Sequence, residues 1–162
     1  MDGVTTQPSK PNQSLQHIPA PDGVAPGVGY THVVTGTGRL VVVSGQVALD
    51  QYGNPVGVGD PAAQALQAFE NLHRCLTAAG ATFADVVKLS YFVTDVVHLP
   101  AIRKARDQYV DVDNPPASTA VQVAALFRPE LVLEVEAWAV LAPGEPGEGA
   151  DEQRVADKPM DS

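Results

Sequence analysis

Cys75 is the only cysteine in the chain, so no internal disulfide can form and the partner thiolates of a structural zinc cage are missing. Basic residues are scarce as well. Ten lysines and arginines stand against nineteen acids, for a formal charge of −9. Nucleic-acid binding draws on cations that displace counterions from phosphates, and no basic stripe occurs anywhere, which argues against DNA or RNA as the main partner. The same deficit disfavours a membrane surface. No run approaches the roughly 18 apolar residues of a spanning helix. Residues 1–25 show no basic start followed by an apolar stretch, so an export leader is not indicated. These absences lead to the expectation of a cytoplasmic protein with no bound metal.

What is present is ordinary globular composition, 44% apolar and 18% charged in 162 residues, enough for one domain with a buried core. Residues 1–22, rich in Pro, Gln, Ser and Asn, and residues 142–162, with six acids against Arg154 and Lys158, bury too little apolar surface to offset the entropy of ordering. Both read as flexible tails around a domain of residues 23–141.

Within that domain strand and helix patterns alternate. Tyr30–Thr35 and Arg39–Gly45 are β-branched runs joined by Gly36-Thr37-Gly38, which predicts a hairpin. Asp60 can cap a helix beginning at Pro61, whose stripe of Ala62, Ala65, Leu66, Phe69, Leu72, Leu76 and Ala79 ends at Gly80. Val86–Val93 reads as a strand. Pro100 opens a second helix with Ile102, Ala105 and Tyr109 on its inner face, and Asn114-Pro115-Pro116 ends it. Strands at Ser118–Leu126 and Leu131–Val140 follow. The order ββαβαββ suits an α+β domain, a largely antiparallel or mixed sheet with both helices on one face. In the last strand Leu131, Leu133, Val135, Ala137 and Ala139 point toward the helices, while Val132, Glu134, Glu136, Trp138 and Val140 point away. That outer face, with apolar and acidic residues together, is too mixed for plain solvent surface, and predicts that another subunit covers it.

Four segments resemble the RidA/YjgF family of reactive-intermediate imine deaminases: Pro26-Gly27-Val28-Gly29-Tyr30; Val43-Ser44-Gly45-Gln46; the helix with Asn71-Leu72, followed by Ala79-Gly80-Ala81 and Val86-Val87-Lys88; and Leu133-Glu134-Val135-Glu136-Ala137. The resemblance covers about residues 24–141. It implies a chorismate-mutase-like (YjgF-like) subunit, a homotrimer whose sheets form an inner barrel, and small-molecule clefts at the interfaces. It also implies cofactor-independent hydrolysis of enamines and imines to 2-keto acids and ammonia. Within the family an arginine grips the substrate carboxylate from a segment Pro-x-Arg-Ser-x-Val-x-Val, which here reads Pro116-Ala117-Ser118-Thr119-Ala120-Val121-Gln122-Val123. Ser118 stands at the arginine position. A charge-assisted pair is worth about 1.5–3 kcal/mol, so a hydroxyl there predicts a carboxylate grip roughly 10- to 100-fold weaker. Arg128, in the turn before the last strand, is either a guanidinium supplied from elsewhere or a solvated turn residue.

The same resemblance makes Glu134 the catalytic carboxylate that activates water, with a strand glutamate as the bland alternative. Tyr30, Ser44, Gly45, Ser118, Thr119 and Ala120 become substrate-binding candidates, Ala120 through its backbone. Edge-strand packing for Tyr30 and strand-end packing for Ser44-Gly45 stay open. His73 and His98 lack any partner at metal-ligand spacing and read as surface histidines. Two function classes follow: an imine or enamine hydrolase of altered substrate range, and a binding or scavenging protein without turnover. An endoribonuclease is the weakest reading, given the acidic chain.

Overall fold

The computed structural model describes residues 11–143, a mixed α+β arrangement of six strands and two helices. In chain order these are β1 (Leu15–Ile18), β2 (Val33–Gly36), β3 (Arg39–Val47), α1 (Pro61–Ala78), β4 (Val86–Val93), α2 (Leu99–Arg106), β5 (Ala117–Gln122) and β6 (Leu133–Leu141). Four of the strands form one sheet in the order β3-β6-β4-β5. β6 runs antiparallel to both its neighbours, and β4 and β5 are parallel, linked by the α2 crossover. Parallel neighbours need such a crossover because no tight turn can join them.

α1 begins where its chemistry dictates. The Asp60 carboxylate accepts from the Ala62 and Ala63 amides, and Pro61 occupies the first turn, where a missing N–H costs nothing. The buried stripe differs from the expected one: Ala62 and Leu66 are exposed, whereas Gln64, Ala65, Ala68, Phe69, Leu72 and Leu76 are buried. Gln64 takes an inner position because backbone groups there need its amide. The strict alternation of β6 holds. Leu133, Val135, Ala137 and Ala139 are fully covered by the helices, and Trp138 on the other face is 44% exposed. That second face also carries Leu40, Val42 and Val121, all substantially exposed.

Two expectations need correction. Val33–Gly36 does not form a hairpin with β3. It pairs antiparallel with β1 in a separate two-stranded sheet. The chain passes from one sheet to the other between Gly36 and Arg39, and at Gly38 it runs so close to β6 that a Cβ would strike the Leu141 carbonyl. The second correction concerns the N-terminal tail. Residues 1–10 of it, like residues 144–162 of the C-terminal one, lie outside the described residues. Residues 15–18, however, form β1, and the Asn12 side chain donates to the Asp85 carboxylate (2.8 Å) and to the Val140 carbonyl (3.0 Å). A polar, proline-flanked segment can dock when its backbone and amide groups find partners, with little apolar burial. Deleting residues 1–18 is thus expected to lower the melting temperature by about 3–8 °C, followed by circular dichroism. An unchanged transition would show that β1 contributes nothing to stability.

Candidate functional site

Two groups of candidate residues emerge, on opposite faces of the sheet. The first lies between β5 and α2. Ser118 pairs in register with Leu89 and Ala120 with Tyr91, and both partners are buried on the helix-covered face. A small cavity of about 40 Å³ opens there, lined by Gly29, Tyr30, Tyr91, Arg106, Ser118 and Ala120 among others. It has room for a few waters or one carboxylate head, taking roughly 10–15 Å³ per water. The loop leading to Tyr30 forms its rim. The Tyr30 ring folds back over Gly27 and meets His32 edge-on, with the His32 ring nitrogen 2.8 Å from the Ala25 carbonyl. Thr119 is not part of this cavity. It faces the other way and accepts from the Lys88 ammonium at 2.6 Å.

The second group is on the uncovered face. Glu134 pairs with Phe92 of β4, whose side chain points opposite to Tyr91. With Glu136, Phe92, Val123, Leu126 and Phe127 it lines an open groove of about 390 Å³. β3 has a bulge between Val43 and Gln46, which contains Ser44 and Gly45. Bulges re-aim side chains and are common beside active sites. Here Gly45 leaves space for the glutamate: a methyl at that position would land on the Glu134 carboxylate, with Cδ 2.6 Å and Cγ 2.7 Å away. Ser44 is exposed, and its carbonyl accepts from the Gln46 amide.

Arg128 is not a lining residue of the Ser118 cavity. It donates to the Gly53 carbonyl at 2.9 Å and lies over the Phe127 ring. The guanidinium that does line the cavity belongs to Arg106, only 8% exposed. Its Nη1 donates to the Gly29 carbonyl, and Nε and Nη2 both reach Asp107 Oδ1 (2.9 and 2.6 Å). Gly29 adopts φ +75°, and a Cβ there would sit 3.3 Å from Arg106 Nη2, so glycine permits both the turn and the close approach. Beside it the Tyr91 hydroxyl is buried without a hydrogen-bond partner. Burial pushes its pKa far above the usual tyrosine value, against the opposing pull of the Arg106 charge. Basic residues in a helix such as Ile102-Arg103-Lys104-Ala105-Arg106 ordinarily lie on a solvated face, and the sequence alone assigns Arg106 no role. The signal for Arg106 was its position four residues after Ile102, on the helix face that packs inward.

Among the described residues no three or more His, Cys, Asp and Glu side chains come together as a metal site, and no helix is long and apolar enough to cross a membrane. Cys75 is half-buried and lines a separate groove with Gln46, Asn71 and Arg74.

Comparison with known proteins identifies the family. The family model described as Endoribonuclease L-PSP matches residues 21–141. The chain belongs to the RidA/YjgF family. It is 33% identical over 124 residues to the human 2-iminobutanoate/2-iminopropanoate deaminase, covering 76% of this chain and 86% of that protein. To Protein DfrA of Myxococcus xanthus it is 35% identical over 122 residues, 75% and 89% of the two chains. The crystal structure of the Rid family protein YyfB from Yersinia pestis superposes with a TM-score of 0.70 at 38% identity, covering 79% of this chain and 99% of that one. Family membership accounts for the α+β fold with two helices on one face of the sheet.

Proposed function

We propose that the protein is a cofactor-independent hydrolase of small enamines and imines, working as a homotrimer in clefts that two subunits complete. The observation that carries this reading is the pairing of Gly45 with Glu134, a carboxylate held on the open sheet face over a bulge that leaves room for it. Glu134 accepts a proton from water as the water oxygen attacks the carbon of the protonated imine. It then returns that proton to the nitrogen of the carbinolamine, so that the C–N bond breaks, the hydroxyl loses its proton to solvent, and a carbonyl compound and ammonia leave. Within one chain this carboxylate and the Ser118 cavity lie on opposite faces of the sheet. A site that uses both needs a second copy, and the exposed Leu40, Val42, Val121 and Trp138 provide the apolar surface for its contact.

Ser118, Ala120 and Tyr30 bind substrate in this reading, and Ser44 and Gly45 line the wall beside Glu134. Ser118 offers a hydroxyl at the family's arginine position, so the substrate is gripped differently and the range shifts accordingly. Thr119, bonded to Lys88 on the outer face, belongs with the subunit contact rather than the pocket. Endoribonuclease activity has no support from the charge of −9. Sedimentation at micromolar concentration is expected to show a trimer, and the same protein to release ammonia from freshly generated 2-aminoacrylate or an uncharged enamine. A monomer would remove the shared cleft. A trimer inert toward every imine would leave a binding protein without turnover.

A further inference from the structure

We propose that the Ser118 cavity is an anion subsite in which Arg106 of α2, together with the Tyr91 hydroxyl, receives the carboxylate of a small 2-imino or 2-oxo acid. This rests on the cleft being the small-molecule site and names the class of ligand it takes. A guanidinium has five N–H donors. Three of Arg106's are used, by the Gly29 carbonyl and, twice, by Asp107 Oδ1. One donor on each terminal nitrogen is left over among the described residues. The Tyr91 hydroxyl adds another, buried and unpartnered, and Ser118 adds a fourth from across the cavity. The Tyr91 hydroxyl, buried with no partner, is costly to leave so, and these four donors around one cavity beside a buried positive charge match a planar oxyanion.

Size decides the rest. The 40 Å³ cavity admits the two oxygens of a carboxylate, so the reacting carbon of such an acid lies at the mouth, by Tyr30 and the β5 edge. A long side chain at 118 would fill the space; serine leaves it open. Asp107 competes for the same guanidinium, with its side chain 42% exposed, and Arg103 at the rim offsets part of that negative charge. The arginine absent from β5 is thus supplied from α2.

Titration calorimetry with 2-oxobutanoate and its uncharged counterpart 2-oxobutanamide tests this without turnover. The wild type should bind the acid more tightly than the amide. Arg106→Gln should weaken the acid by about 10- to 100-fold and leave the amide within about twofold. Arg106 also staples the Gly29 loop, so Asp107→Asn provides a test of opposite sign with the guanidinium intact: the acid should bind several-fold more tightly. Ser118→Leu should block both ligands. No preference for the acid in the wild type, an equal loss of acid and amide in a folded Arg106→Gln protein, or unchanged or weaker acid binding in Asp107→Asn would overturn the assignment. The expected binding pattern in a protein that hydrolyses no imine would support the subsite and refute only the hydrolase reading.

Discussion

Glu134→Gln is expected to slow hydrolysis of any enamine or imine the protein accepts by about 10²- to 10⁴-fold, the usual span for losing a positioned proton acceptor, with no change in sedimentation. Charge and hydrogen-bonding shape explain the size of the effect: the amide keeps the volume and one acceptor oxygen but cannot take the proton from attacking water. Gly45 makes the prediction sharper. Because a methyl at position 45 would occupy the space of the Glu134 carboxylate and crowd its Cγ, Gly45→Ala should swing the side chain out and reproduce most of the loss without touching the acid itself. If the two residues act through one carboxylate position, the Gly45→Ala, Glu134→Gln double variant should be no slower than Glu134→Gln alone. Ammonia-release rates on the four proteins read this directly. A Gly45→Ala protein at the wild-type rate, or losses that multiply in the double variant, would separate the glycine from the chemistry.

The parts of this structure that periodicity and capping chemistry control were legible in the sequence. Asp60-Pro61 starts α1, and every second residue from Leu131 to Ala139 points into the core. Both rest on local rules that tertiary contacts did not override. β1 was not legible because it has no apolar periodicity. What docks it is backbone pairing to β2 and an asparagine that reaches Asp85 and β6. The failed hairpin has a similar cause: glycines at 36 and 38 announce a turn, but the partner that β2 takes is β1, a segment whose pairing no local pattern reveals.

The candidate residues were legible in the sequence one by one, and their arrangement was not. Ser118, Ala120 and Tyr30 line one cavity, and Gly45, in the β3 bulge with Ser44, approaches the Glu134 side chain. That the two sets occupy opposite faces follows from register, Ser118 with Leu89 and Glu134 with Phe92, which no single segment reveals. Arg106 shows the limit most clearly. An arginine in a basic helical run is ordinarily solvated, and what buries this one is its place one turn after Ile102 on the inward face, with a glycine carbonyl and an aspartate to accept its hydrogen bonds.

The largest stability effect is expected at Gln64, a fully buried amide in the first turns of α1. Its Nε2 donates to the Glu130 carbonyl (2.8 Å) and the Gly57 carbonyl (3.3 Å), and its Oε1 accepts from the Val132 amide (2.9 Å). One side chain thereby ties the loop before α1 to the segment entering β6: the Gly57 carbonyl also accepts from the Asp60 amide, whereas among the described residues the Glu130 carbonyl and the Val132 amide have Gln64 alone. Leaving a buried backbone donor or acceptor unpaired costs about 1–3 kcal/mol each, so Gln64→Leu, which keeps the volume, should destabilise by about 3–5 kcal/mol. Gln64→Ala should cost somewhat more, because a cavity is added to the lost bonds. Urea unfolding of the three proteins at one fixed protein concentration, so that subunit association weighs equally on each, should show the midpoint falling in the order wild type, Leu, Ala. A Leu variant within about 1 kcal/mol of wild type would mean that water or a small loop shift replaces the three bonds, and that α1 is held to β6 by its apolar stripe alone.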